Sequence, residues 1–355
     1  MIRLNYTLEI ITPCFCGGAE PEQQAEIRPA SIRGQLRWWF RVLGGFKSLA
    51  PMPVREQEAM IFGSTACDEG NAGKWSIRVR TSQLTTSRKD SEGLGHRPFS
   101  DPAFLTFPLQ SRTNLDGHRG VVDGGTFELV SIWRGRTGLA SDLVSLISVF
   151  ANLGALGFRS RRAMGALADA QGKLPTLEVS LTRFANPDSI VLRSLPANSS
   201  KNAISVLGGW LKGCRAHGLT VQIPQKMKSP FFQYAKNDHD VGYQMPETAN
   251  SPAFRPAIGL PIIQRTKRGT NNWEFGQGSA NHPKGRFASP VILRPHRDSN
   301  GNWLALVIFV DAKKWPDDPS TGQPKPVFLN GSSRAVSRDL YEAMKNDPNL
   351  ETYPL

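Results

Sequence analysis

Two residue periods alternate along the first half of the chain, and their order limits the fold more tightly than composition does. Leu4 to Ile11 alternates with period two, as a strand does, and Thr12-Pro13 closes it before a tight loop at Gly17-Gly18. From Ser31, which suits an N-cap, the period becomes that of a helix. Ile32, Leu36, Trp39 and Leu43 fall at i, i+4, i+7 and i+11, one apolar ridge, and Gly44-Gly45 supplies the stop. A short apolar piece, Ala59 to Phe62, ends at Gly63-Ser64. Trp75 to Thr81 alternates again, and Thr126 to Trp133 reads as a further strand. Leu139 to Leu153 is an apolar helix, and Leu177 to Leu181 is strand-like. Residues 82–120 show no period and read as a long insertion. Strand–helix–strand–strand–helix–strand is the βαββαβ order of a ferredoxin-like unit, the platform that RNA-recognition (RRM-like) domains also use.

The second half can be read the same way. Ile190 to Leu192 suggests a strand, Ala203 to Arg215 a helix, and Ala257 to Ile263 a strand after a Pro- and Asn-rich loop at 224–256. Pro290 to Leu293 and Leu304 to Val310 are strands joined through the turn signal Asp298-Ser-Asn-Gly301, and Arg334 to Met344 closes as a helix. At roughly 100–200 residues per domain, 355 residues suit two. The expectation is an α+β protein of two tandem ferredoxin-like domains with long loop insertions. They would occupy residues 1–185, with a glycine-rich loop, and residues 186–355, in a degenerate form.

Charge narrows the partner. Lys and Arg number 43 against 30 Asp and Glu, a net +13 and an isoelectric point near 9.9. Such a field favours polyanions. The longest apolar run, Trp303 to Val310, is far below the ~20 residues of a membrane span, and the N-terminus has no secretory apolar region. The expectation is a cytoplasmic protein whose partner is nucleic acid, with no membrane role. Cys14, Cys16, Cys67 and Cys214 include no Cys-x-x-Cys pair and no neighbouring His, so buried reduced thiols are expected, with no metal and no cofactor.

Three segments concentrate the positive charge. In Ser31 to Arg41, Arg33, Arg37 and Arg41 recur every four residues, one cationic stripe on the helix, with no Asp or Glu between Ile27 and Arg55. Guanidinium groups suit phosphate in bidentate geometry. Trp38, Trp39 and Phe40 belong mostly to the core by the same geometry. In Gly154 to Gly165, the glycines Gly154, Gly157 and Gly165 surround Arg159, Ser160, Arg161 and Arg162. Backbone N–H groups and guanidinium groups together would cradle phosphate. It is neither a Walker loop nor a dinucleotide fingerprint. The third is the basic stretch from Arg265 to Arg297, where Lys267, Arg268, Arg286 and Arg294 are candidate RNA contacts facing one acid, Glu274. A solvated surface is the bland reading of all three.

No catalytic set emerges. The six histidines are scattered, and His-Glu-x-x-His, Gly-x-Ser-x-Gly and P-loop patterns are absent. His239 between Asp238 and Asp240 suggests a metal only weakly, and Asp116 with His118 suggests acid–base cleavage only weakly.

Thr12-Pro-Cys-Phe-Cys-Gly-Gly-Ala19, followed by Arg28-Pro-Ala-Ser-Ile-Arg-Gly-Gln-Leu-Arg-Trp-Trp-Phe-Arg41, resembles the N-terminal signature of the RAMP superfamily of type III CRISPR systems. Glu58 to Ser64 looks like the segment that follows it, Gly154 to Gly165 is similar to the family's glycine-rich loop, and Ser289 to Arg294 is similar to the C-terminal half of one branch. That branch is the first-subunit family of the Cmr, or type III-B, effector complex. The resemblance implies two ferredoxin-like domains, assembly with other Cmr/RAMP subunits, and contact with CRISPR guide RNA and single-stranded target RNA. It implies a non-catalytic subunit that caps the guide-3′ end of the filament and helps capture target RNA in antiviral defence. The alternative is a metal-independent RAMP endoribonuclease that processes CRISPR repeat RNA. The histidine-containing motif of that branch is not evident, and its glycine-rich loop lies near the C-terminus rather than mid-chain.

Overall fold

The structure, a computed structural model, describes residues 1–64, 71–90, 92–96, 100–106, 109, 117–135, 137–215, 231–243, 245–260, 262–264, 273–276, 287–329 and 332–354. The chain groups into two compact units. The first comprises Met1–Gly208, Leu293–Ile308 and Thr352–Leu355, and the second Gly209–Ile292 and Phe309–Glu351.

The first unit begins with β1 (Ile2–Ile10), α1 (Pro29–Val42), α2 (Val54–Phe62), β2 (Trp75–Lys89), β3 (Arg119–Trp133), α3 (Ala140–Leu153) and β4 (Leu167–Asp169). Their sheet has the order β2-β3-β1-β4, and its pairings are antiparallel. The register runs from Ile2 opposite Trp133 to Ile10 opposite Gly125. The whole predicted ridge of α1 is buried: Ile32, Leu36, Trp39 and Leu43. So are Leu143, Leu146, Ile147 and Phe150 of α3. Phe40 packs edge-on against Phe46 and Phe62, and Phe62 meets Trp75, an aromatic seam at the end of α1.

Several boundaries differ from expectation for local reasons. Helix α1 starts at Pro29, whose missing N–H costs nothing in a first turn, so Ser31 lies inside the helix and Arg28 precedes it without a side-chain cap. The described part of the expected insertion at 82–120 contains regular structure. Strand β2 continues to Lys89, but register shifts at Arg80/Gln83 and Thr85/Thr86 break the period-two pattern. Asp101–Thr106 is a helix, and β3 begins at Arg119. Leu177–Leu181 is a helical turn, not a strand. Thr176 accepts the Val179 N–H and the Ser180 hydroxyl there, an N-cap that ends any extended run. The strand beside β1 is instead Leu167–Asp169.

A second four-stranded sheet holds β5 (Ile190–Pro196), β6 (Val291–Arg297), β7 (Trp303–Val310) and β8 (Glu351–Thr352) in the order β6-β7-β5-β8. Taken along the chain, both sheets order their strands second, third, first, fourth. Helix α4 (Ser200–Arg215) follows β5, and α6 (Asp339–Lys345) precedes β8. The architecture is mixed α+β with antiparallel sheets.

The second unit contains α5 (Phe232–Gly242) inside the stretch expected to be loop. Asp238, on its buried face, accepts the backbone N–H groups of Phe254 and Arg255 and the Nε–H of Arg255. The expected strand at 257–263 is a 3-10 turn, Arg255–Ile258, followed by Ile262–Gln264. That short strand joins Trp273–Gly276, Val327–Leu329 and Ser332–Arg334 in an antiparallel sheet. Trp315, Val241, Ala257 and Val327 form the core here. Among the described residues, no helix is long and apolar enough to cross a membrane.

The two faces of α1 predict opposite mutational outcomes. Leu36→Ala, at a site with no solvent exposure, should lower the unfolding free energy by about 2–5 kcal/mol. Arg33→Ala, on the exposed face, should stay within about 0.5 kcal/mol. Urea titration of both variants measures the contrast.

Candidate nucleic-acid interface

The arginine stripe lies along the outer face of α1. Arg33 and Arg41 are exposed, and Arg37 is half-buried. The stripe has an acid partner that no i,i+4 rule could reveal. Glu58, on α2, takes Arg37 Nε at 2.6 Å and lies 3.6 Å from Arg41 Nη1. Arg55 joins Arg37, Arg41 and Glu58 around an open cavity of about 520 Å³. Arg33 makes no ion pair with a described residue.

The glycine-rich loop meets the same helix. The Arg161 guanidinium lies 4.7 Å from the centroid of the Trp38 ring. Cation–π contact of this kind holds a guanidinium in place. Trp38 packs edge-on against the buried Trp39, so the core fixes the platform on which Arg161 rests. The two segments singled out from sequence are therefore one surface.

The loop's backbone is tied to the protein. Leu156 N–H donates to Gly165 O, Phe158 N–H to Phe15 O, Arg162 N–H to Arg159 O, Ala163 N–H to Leu293 O and Gly165 N–H to Pro13 O. The expected phosphate cradle of backbone N–H groups is not formed by these five, because each already has a carbonyl. Arg159 and Ala163 also take positive φ in this loop, so glycine is required only where the turn meets neighbouring backbone as well. At Gly165 φ is +70°, and a Cβ would stand 2.0 Å from Leu156 O. Gly154 ends α3. What the loop offers outward is side chains.

Those side chains differ in orientation. Arg159 Nε donates to Leu105 O at 2.6 Å, and burial brings its pKa down to about 10. Burial also lowers Arg161. Arg162 is largely buried and bonds the Arg161 carbonyl. Ser160 is half-buried.

Arg294, expected among the RNA contacts, is turned inward. It has no solvent exposure. Its guanidinium donates to Gly154 O at 3.0 Å, Ala151 O at 2.7 Å and Leu167 O at 2.5 Å. Ala151 and Gly154 close α3, where carbonyls lack intrahelical donors and the helix dipole is negative. A cation buried there finds both hydrogen bonds and field. Burial brings its pKa down to about 9, which leaves it protonated at neutral pH. Arg294 Nη1 also reaches His296 Nδ1 at 3.0 Å, and His296 Nε2 pairs with the Tyr353 hydroxyl at 2.9 Å. The network assigns Nδ1 as acceptor and Nε2 as donor, the neutral tautomer. Burial, then the Arg294 charge, brings His296 down to about 3. Lys267, Arg268 and Arg286 lie outside the described residues, as do Cys67 and Asp116.

The other chemical candidates resolve into packing. Cys14, Cys16 and Cys214 are free and buried. The hydrogen bond between the first two thiols raises Cys14, with burial adding, and lowers Cys16. Around His239, Asp238 serves Arg255 and Asp240 takes Lys236 at 2.5 Å. Among the described residues no group of three or more His, Cys, Asp or Glu side chains is placed to hold a metal.

Residues 7–168 match the family model described as the RAMP superfamily. The matched segment is similar to that superfamily. It contains the arginine helix, Glu58 and the glycine-rich loop. The chain is homologous to two curated Cmr1 subunits of Pyrococcus furiosus. It is 28% identical to CRISPR system Cmr subunit Cmr1-1 over 182 residues, 49% of each chain. It is 44% identical to Cmr1-2 over 66 residues, 18% of this chain and 35% of that one. The matches thus span about half and about a third of those relatives. The fold is similar to a crystal structure of Cmr1 from Pyrococcus furiosus in its apo form, with a TM-score of 0.52, 17% identity, and 93% and 94% of the two chains covered.

Burial of a neutral His296 makes the first unit acid-sensitive. The unfolded chain binds this proton from near pH 6.5, while the folded chain resists it until about 3. Stability from this site is full above pH 6.5 and is lost as pH falls toward 3. His96, which burial and Lys201 bring down to about 4, adds the same sign. His296→Gln should flatten the fall in denaturation midpoint between pH 6.5 and 4. Arg294→Met, which strands three buried carbonyls, should cost at least about 3 kcal/mol at pH 7 by urea titration.

Proposed function

We propose that this chain is a non-catalytic RNA-binding subunit of a type III-B CRISPR (Cmr) effector complex, formed of two tandem ferredoxin-like domains at residues 1–185 and 186–355. On this reading it assembles with other Cmr/RAMP subunits, caps the guide-3′ end of the filament and helps capture single-stranded target RNA. The observation that carries it is the meeting of the arginine helix and the glycine-rich loop at Trp38 and Arg161. Arg33, Arg37, Arg41 and Arg161 are the candidate contacts that these two segments offer, with Ser160 and the more buried Arg159 and Arg162 beside them and Gly154, Gly157 and Gly165 shaping the loop. Arg294 acts through the loop by holding its first residue, not by touching phosphate. Lys267, Arg268 and Arg286 are further candidate RNA contacts in the same proposal. Homology to the Cmr1 subunits supports the assembly, and the two sheets' common strand order supports the tandem domains.

Arginines that contact phosphate release counterions on binding, so affinity falls with salt, with a slope of about 0.7 per phosphate on a single strand. Arg33→Glu and Arg161→Glu should each weaken binding of a single-stranded RNA and reduce the salt slope by about that amount. Fluorescence anisotropy from low to moderate salt reads both quantities. Unchanged affinity and slope in both variants would sink the assignment.

A further inference from the structure

Beside the glycine-rich loop, within the first unit, lies a cleft of about 510 Å³. That is within the range of about 300–1,000 Å³ typical of small-ligand sites. Phe15, Cys16 and Leu109 line it and are buried, so its inner surface is apolar. Arg28 and Arg119 bring positive charge to it, and Phe158 stands at the side toward the loop. Pro21, Ser31 and the glycines at 17, 18 and 157 complete the lining.

Phe158 is the unexplained residue. It is 50% exposed, although the core beside it is closed. Its position is not that of a loose loop tip. Its N–H donates to Phe15 O at 2.8 Å. Gly157 before it has φ +79°, and a Cβ there would stand 2.6 Å from Phe15 O. Arg159 after it is anchored to Leu105 O. A backbone fixed on both sides holds an aromatic ring half in water at the mouth of a basic cleft. Two acids lie close to lining residues, Glu22 to Arg119 and Glu26 to Gly18. Glu22 lies 3.5 Å from Arg119 and is 62% exposed, a pairing that a phosphate can replace. Arg28 makes no ion pair with a described residue.

We propose that this cleft receives one unpaired nucleobase of single-stranded RNA, stacked on the Phe158 ring, with flanking phosphates on Arg28 and Arg119. Stacking on an aromatic ring is tolerant of sequence, since every base has a π-face. It also selects single strands, since a base inside a duplex has both faces covered. The inference deepens the RNA-binding reading and rests on it: the arginine helix takes the backbone, and this cleft takes a base.

The test uses the full chain with a uridine-rich RNA carrying one 2-aminopurine, alongside the same sequence as a duplex. Unsubstituted protein and Phe158→Tyr should bind the single strand and quench the probe. Phe158→Ala should lose the quenching and about tenfold in single-strand affinity, with duplex affinity unchanged. Arg28→Ala should weaken binding and retain the quenching. If Phe158→Ala binds and quenches like the unsubstituted chain while Arg33→Glu and Arg161→Glu lose affinity, the cleft is not a base site and the interface reading stands. Equal loss on single strand and duplex also overturns the base site. If no form binds RNA, both readings fall.

Discussion

A single buried guanidinium organises the region from which the functional surface is built. Arg294 comes from a strand of the second sheet and ends among the carbonyls that finish α3 and begin β4. Burying a cation is expensive unless its donors are satisfied and the surrounding field is negative. A helix C-terminus meets both needs. The glycine-rich loop therefore starts from a fixed point. Leu293 extends the control, exchanging backbone hydrogen bonds with Arg161 and Ala163. The loop is held by Phe15 and Pro13 on one side and by Leu293 on the other.

This bracing changes what the loop is for. Five of its N–H groups already donate to carbonyls of the protein, so they do not form a nest for an anion. Its contribution is instead to place side chains. Arg161 is set on Trp38, Arg159 is tethered by its own guanidinium, and Phe158 is pushed outward. Rigid presentation of a few groups costs less entropy on binding than ordering a mobile loop.

Much of this was legible in the sequence, and the misses have physical causes. The ridge Ile32, Leu36, Trp39 and Leu43 could be read because helix periodicity is local and no bulge interrupts it. Strand β2 could not be followed past Thr81 because two register shifts move its side chains out of phase. Leu177–Leu181 has strand-like composition, but Thr176 caps it into a turn. Arg294 looked like one more surface charge because its partners lie 127 to 143 residues away. Phe158 is half-exposed because a backbone hydrogen bond to Phe15, distant in sequence, fixes its place, and no local pattern reveals that contact.

Glu58 gives the arginine stripe a property that charge counting misses. Its carboxylate lies against both Arg37 and Arg41. Two arginines of the helix thus share one internal carboxylate. Like-charged side chains one turn apart, which would otherwise splay into water, are held converging on one point. On the proposed reading, a phosphate would meet two guanidinium groups already drawn together and would have to displace the Glu58 carboxylate, so binding there would be an exchange of anions rather than a condensation of free charges.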